Sequence, residues 1–136
     1  MRETSHSSSP GADTARMSTI TNASPFDVAA LRRAPDAVAA LDAVLDDDVE
    51  WVEIDQRTPP ASPAVTRGRA AVIATIRAAH ERGIVSRITD GFATADRAAL
   101  TVTCTYPTGE QVVCNVLADI RDGRIVRWAG VQAWDA

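Results

Sequence analysis

Residues 84–134 read IVSRITDGFATADRAALTVTCTYPTGEQVVCNVLADIRDGRIVRWAGVQAW, and this stretch decides the fold. It divides into four apolar-rich segments near 84–93, 98–106, 111–120 and 124–134. Between them lie Thr94-Ala95-Asp96-Arg97, Pro107-Thr108-Gly109-Glu110 and Arg121-Asp122-Gly123. Each break is short enough for a hairpin turn, so the stretch predicts a meander of antiparallel strands. Segment 111–120 is apolar at both parities, with Val112, Cys114, Val116 and Ala118 on one face and Val113 and Leu117 on the other. Its alternation therefore leaves open which face Asn115 joins, inner or outer.

Working outward toward the N-terminus, Arg69 to about Arg82 carries Val72, Ile73, Ile76, Ala79 and His80 at helical spacing, with Gly83 as its stop. Thr58-Pro59-Pro60-Ala61-Ser62-Pro63 sustains neither a helix nor a central strand and reads as a stiff loop, a candidate gate. Before it the period becomes two. Val49, Trp51, Glu53 and Asp55 share one face of a strand whose other face carries Glu50, Val52 and Ile54. Pro35 opens a helix with Val38, Leu41, Val44 and Leu45 on one face, ended by Asp46-Asp47-Asp48. A shorter helix starts at Ser24-Pro25-Phe26-Asp27 and runs to about Arg33. Residues 1–22 are rich in Ser, Thr, Gly and Asp with almost no large apolar group, which predicts a disordered tail, and Met17 offers a second start. The domain is then 23–136. Neither layer can hide its apolar face alone, so the expected class is α+β, three N-terminal helices on a curved antiparallel sheet.

Composition narrows the function. A chain of 136 residues with 46% hydrophobic content suits one domain. The net charge of -4 and the lack of a basic stripe argue against nucleic-acid binding. All 14 basic residues are arginine, which removes lysine Schiff-base and P-loop chemistry. No apolar run approaches the roughly 20 residues of a spanning helix, and no secretory leader pattern opens the chain, so the reading is cytoplasmic with no membrane partner. Cys104, Cys114, His6 and His80 are too few for a structural zinc site, and the cysteines read as reduced, partly buried hydrophobes. Cys104 and Cys114 can meet across the hairpin only if the loop between their strands has an odd residue count; an even count puts them on opposite faces.

The helix pair running into DDDVEWVEID (46–55), the Pro-rich loop leading to RGRAAVIATI (67–76) and the closing ADIRDGRIVRWAGVQAWD (118–135) resemble the NTF2-like superfamily. That superfamily includes SnoaL-type polyketide cyclases, ketosteroid isomerases and limonene-epoxide hydrolases, and the chain looks most like SnoaL-like proteins of actinobacteria. The resemblance implies a cone that encloses an apolar pocket, a homodimer formed through the outer face of the sheet, and chemistry without cofactor or metal. From the ketosteroid isomerase pattern, Glu53 falls at the general-base position after the Asp47-Asp48 pair. Asn115 falls at the oxyanion-donor position ten residues before Ile125.

A carboxylate beside Trp51 in an apolar pocket loses hydration and becomes a better base toward a carbon acid next to a carbonyl, while an amide donates to the developing enolate. The expected activity is isomerisation or cyclisation of a hydrophobic metabolite, with Trp51, Asp55, Tyr106, Trp128 and Gln132 lining the site and Gly130 leaving space. The alternative is a non-catalytic ligand-binding or dimerisation module. Two departures bear on the choice. The only tyrosine, Tyr106, is not on the first helix, and Gly130 stands where the epoxide hydrolases carry their last-strand acid. Bland roles stand beside these: an exposed Glu53 paired with Arg57 or Arg67, a turn role for Asp55, packing for Trp134, and a helix-end cation for His80.

Overall fold

A computed structural model of the chain describes residues 26–135. The expected tail, the second start at Met17 and the Ser24-Pro25 helix start lie outside the described residues. The elements in chain order are α1 (Val28–Arg33), α2 (Ala37–Val44), β1 (Leu45–Ile54), β2 (Ala64–Arg67), α3 (Arg69–Glu81), β3 (Val85–Ala93), β4 (Arg97–Thr105), β5 (Gln111–Arg121) and β6 (Arg124–Trp134).

Local chemistry sets the helix starts. Asp27 caps α1 by accepting from the Ala30 N–H at 3.0 Å, and Asp36 caps α2 through Ala39 in the same way, so Pro35 precedes the cap instead of opening the helix. Gly68, at φ +92°, turns the chain into α3 while its N–H donates to the Val49 carbonyl at 2.8 Å. Gly83, at φ +89°, follows the end of α3.

The sheet runs β2-β1-β6-β5-β4-β3. Strands β3 to β6 form the expected meander, but β1 lies parallel to β6, so the sheet is mixed. Two boundaries differ from expectation. Leu45 continues the helical spacing of α2, yet it is fully buried at the start of β1, and the acidic run lies within that strand instead of ending the helix. The Asp46 carboxylate accepts from the Asp48 N–H at 3.0 Å, and the β1–β6 register shifts between Leu45 and Glu50. The short edge strand β2 follows Pro63 and pairs with β1 from Glu50 to Glu53.

Cross-strand rows define two faces. Trp51, Trp128, Ala118 and Ala98 form one continuous inner row, and Glu53, Gly130, Val116 and Leu100 form the next. These rows pack with Phe26, Leu31, Val38, Val72 and Ile73 from the helical layer into one core. The outer face shows a parallel row, Val65, Val52, Ala129, Leu117, Ala99 and Phe92, crossing all six strands.

Candidate functional site

The parallel register of β1 on β6 builds the inner site. It sets Trp51 beside Trp128, whose rings stack at 4.1 Å with 7° between planes. Both are buried, and Ala118 and Ala98 beside Trp128 leave room for the pair. One step along, half-buried Glu53 accepts from the Gln132 amide N–H at 2.9 Å, and the Gln132 oxygen accepts from the Trp134 indole N–H at 3.2 Å. Trp134 packs against Tyr106 at 5.5 Å, and the Arg57 guanidinium lies 5.9 Å from the Trp134 ring. Carboxylate, amide and indole thus form one hydrogen-bonded chain at the end of the inner face where Tyr106 and Arg57 stand.

Cys114 lies next to this chain, paired in register with Gln132. Burial first, then the charges of Glu53 and Cys104, push its thiol up to about 12. It is therefore a packing thiol and not a nucleophile. Five residues separate β4 from β5, so Cys104 and Cys114 share the inner face, but Cys104 pairs with Val112 and Cys114 with Val102. Burial, then Cys104, raises the Tyr106 phenol above its ordinary value.

Three expectations need correction. Asn115 is not beside Glu53. Its neighbours Cys114 and Val116 are buried in the core, so strand alternation turns Asn115 outward, where its oxygen accepts from the Thr101 hydroxyl at 3.0 Å. Asp55 does not line the site: one carboxylate oxygen accepts from Arg57 N at 2.7 Å, Thr58 N at 2.8 Å and the Thr58 hydroxyl at 2.9 Å, closing a turn. Burial would raise this carboxyl, but those hydrogen bonds and Arg57 hold it below its ordinary value. Gly130 leaves no space for a ligand, because a Cβ there would come within 2.7 Å of the Cys114 sulfur. That spacing serves the core.

Of the bland pairings, Arg67 binds Glu50 at 2.9 Å instead of Glu53, and Arg127 binds the other oxygen of Glu50 at 3.0 Å. The Arg127 hydrogen bond opposes burial and, with Arg67, lowers the Glu50 carboxyl. Arg69 holds Asp47 at 2.9 Å, and His80 is exposed in the last turn of α3. Among the described residues, Trp128 Nε1 is the one buried side-chain polar atom without a hydrogen-bond partner, and no group of three His, Cys, Asp or Glu is arranged to hold a metal. A hollow of ≈ 390 Å³ lies between α1, α2 and the β5–β6 turn, and an open trough of ≈ 480 Å³ lies on the outer face. Glu53 lines neither, whereas Asn115 lines the trough. The Glu53–Gln132–Trp134 chain was not foreseen as a unit; its signal was the even spacing of Trp128, Gln132 and Trp134 on one strand face.

The model of the SnoaL-like domain family matches residues 28–128, from the first residue of α1 to the inner Trp of β6. The chain belongs to the SnoaL-like family. Among solved structures, this SnoaL-like chain is similar to an NTF2-like protein of unknown function from Mesorhizobium loti, with 26% identity and a TM-score of 0.58 over 71% of this chain and 78% of that one. It is also similar to a candidate ketosteroid isomerase from Kribbella flavida, with 21% identity and a TM-score of 0.56 over 79% and 70% of the two chains. A candidate isomerase from Rhodopseudomonas palustris follows with 21% identity and a TM-score of 0.54 over 76% and 83%. No curated protein matches the SnoaL-like chain in sequence. At these identities the structural likeness establishes the NTF2-like fold and leaves the chemistry to the residues. No helix among the described residues is long and apolar enough to cross a membrane.

Proposed function

We propose that this SnoaL-like chain is a small-molecule binding module that takes a largely hydrophobic ligand at the Glu53 end of the inner face, and that it works as a homodimer paired through the outer face. The observation that carries the ligand reading is the Glu53–Gln132–Trp134 chain. Gln132 fixes one carboxylate oxygen, while the other accepts no hydrogen bond among the described residues. That second oxygen is an acceptor for a hydroxyl or N–H of a ligand whose apolar body rests on Tyr106 and Trp134.

The isomerase-type proton abstraction that the resemblance implies, and that the names of two structural neighbours suggest, needs a donor beside the base. Asn115 stands across the sheet from Glu53, which favours binding without that chemistry.

The test is a titration of the full chain with small apolar compounds bearing a hydroxyl or a carbonyl, followed by tryptophan fluorescence. Saturable binding weakened at least about ten-fold by Glu53→Gln is the expected result, the size of one lost charge-assisted hydrogen bond. Binding that Glu53→Gln leaves unchanged overturns the site, and turnover of a carbonyl compound that Glu53→Gln abolishes overturns the non-catalytic reading.

A further inference from the structure

Among the described residues, six large apolar side chains are exposed, Val65, Val85, Phe92, Val113, Leu117 and Val131, and all lie on the outer face of the sheet. Six strands at about 4.8 Å spacing, most of nine to eleven residues, give this face on the order of 700–800 Å², close to the roughly 800 Å² per partner of a stable interface. On its two middle strands the Asn115 amide stands among Val113, Leu117 and Val131. The row Ile54, Val131, Asn115, Thr101 and Asp90 runs beside the Val65–Phe92 row, and Asn115 is its central member, on β5, one of the two middle strands. Asp90 stands at the far end of the row, on the edge strand β3, and on the other side of the Val65–Phe92 row a charged row, Arg67, Glu50, Arg127, Asp119 and Arg97, crosses five strands with Glu50 bound to Arg67 and Arg127 and Asp119 bound to Arg97.

We infer that Asn115 is the register-setting residue of a two-fold homodimer, its amide pairing with the same amide of a second copy. This rests on the outer-face pairing proposed above. In an isologous contact the residues at the axis meet themselves, so a central residue must complement itself. An amide does so, because its NH₂ donates and its oxygen accepts. The oxygen of Asn115 already takes the Thr101 hydroxyl on one lone pair, and the amide nitrogen makes no hydrogen bond among the described residues. A face of valine, leucine and phenylalanine alone would allow two sheets to slide, and one buried amide pair penalises every register that leaves it unpaired, as a single core Asn does in a coiled coil. The neutral Asn115 and Thr101, on a face whose Glu50 and Asp119 are already paired with arginines, suit a second copy better than a partner of one charge sign.

The test uses the full chain with Asn115→Cys and, as an off-axis control, Val65→Cys at the exposed edge strand, under mild oxidation with diamide. The expected result is that the Asn115→Cys copies cross-link at least about ten times faster than Val65→Cys, because only side chains at the axis bring their Cβ atoms within the roughly 4 Å a disulfide needs. A second variant, Asn115→Asp, sets two carboxylates face to face and weakens the dimer at least about ten-fold at neutral pH by sedimentation. If the wild-type chain sediments as a dimer while Asn115→Cys cross-links no faster than the control and Asn115→Asp leaves its dissociation constant unchanged, the inference falls and the pairing stands. A monomer at every concentration, its face left to another protein or a small ligand, overturns both.

Discussion

Val116 and Leu117 are neighbours on β5, both aliphatic, and they live in different solvents. Val116 is 2% exposed in the inner row with Gly130 and Leu100, whereas Leu117 is 57% exposed in the outer row with Ala129 and Ala99. Hydrophobicity alone does not say which face a strand buries when both faces are apolar; the helical layer covers one and the other stays exposed. The same contrast separates Glu53 from Asn115, two residues that composition makes plausible partners and the pleat puts back to back.

The strongest way to break this comparison is to put a charge on each side of the same strand. Val116→Asp buries an unpaired carboxylate in the core and should destabilise the chain by about 3–5 kcal/mol, which consumes much of a domain's usual stability. Leu117→Asp should change the stability of the separated subunit by no more than about 0.5 kcal/mol and remove association instead. Urea denaturation of both variants, with sedimentation of the second, decides it. Equal losses would mean that the outer face is also core.

Helix α3, the meander and its turns were legible because period and breakers agree from Arg69 onward. What was not legible has physical causes. Segment 111–120 satisfies both faces, so the orientation of Asn115 depends on Trp128, whose stack needs small neighbours; Ala118 supplies one, and its parity is that of Cys114 and not Asn115. Leu45 fits a helical stripe as well as a strand, and tertiary burial overrides its spacing. β2 is four residues at an edge behind a run of prolines, too short to carry a period. For the site, Glu53 and Gln132 were named separately, but the parallel register that joins them connects residues 79 apart.

A smaller effect sharpens the account of the inner face. Gly130→Ala puts a Cβ within 2.7 Å of the Cys114 sulfur, a short side chain packed in the core, and overpacking of this kind costs about 1–3 kcal/mol. The double variant Gly130→Ala/Cys114→Ala removes the obstructing sulfur, so denaturation should show the two substitutions to be non-additive, with the second recovering much of the first. Strict additivity would mean that Gly130 is required for its backbone and not for the sulfur.

The least effect is electrostatic and comes from the same sulfur. The Cys114 thiol is pushed from its ordinary 9.0 to about 12 in the folded chain, so between those values the unfolded chain has released the proton and the folded chain still holds it. Stability from this group is whole below pH 9.0 and falls as the pH rises toward 12, by at most about 1.4 kcal/mol per unit. The wild type should therefore lose stability faster than Cys114→Ala between pH 8 and pH 10.5, within the window set by the shift. Tyr106 and the other alkaline groups act in both proteins, so the difference between the two curves isolates the thiol. Parallel curves would mean that water reaches Cys114 and that the inner face is open at the sulfur. A steeper wild-type curve would show that the packed inner face keeps water from the sulfur.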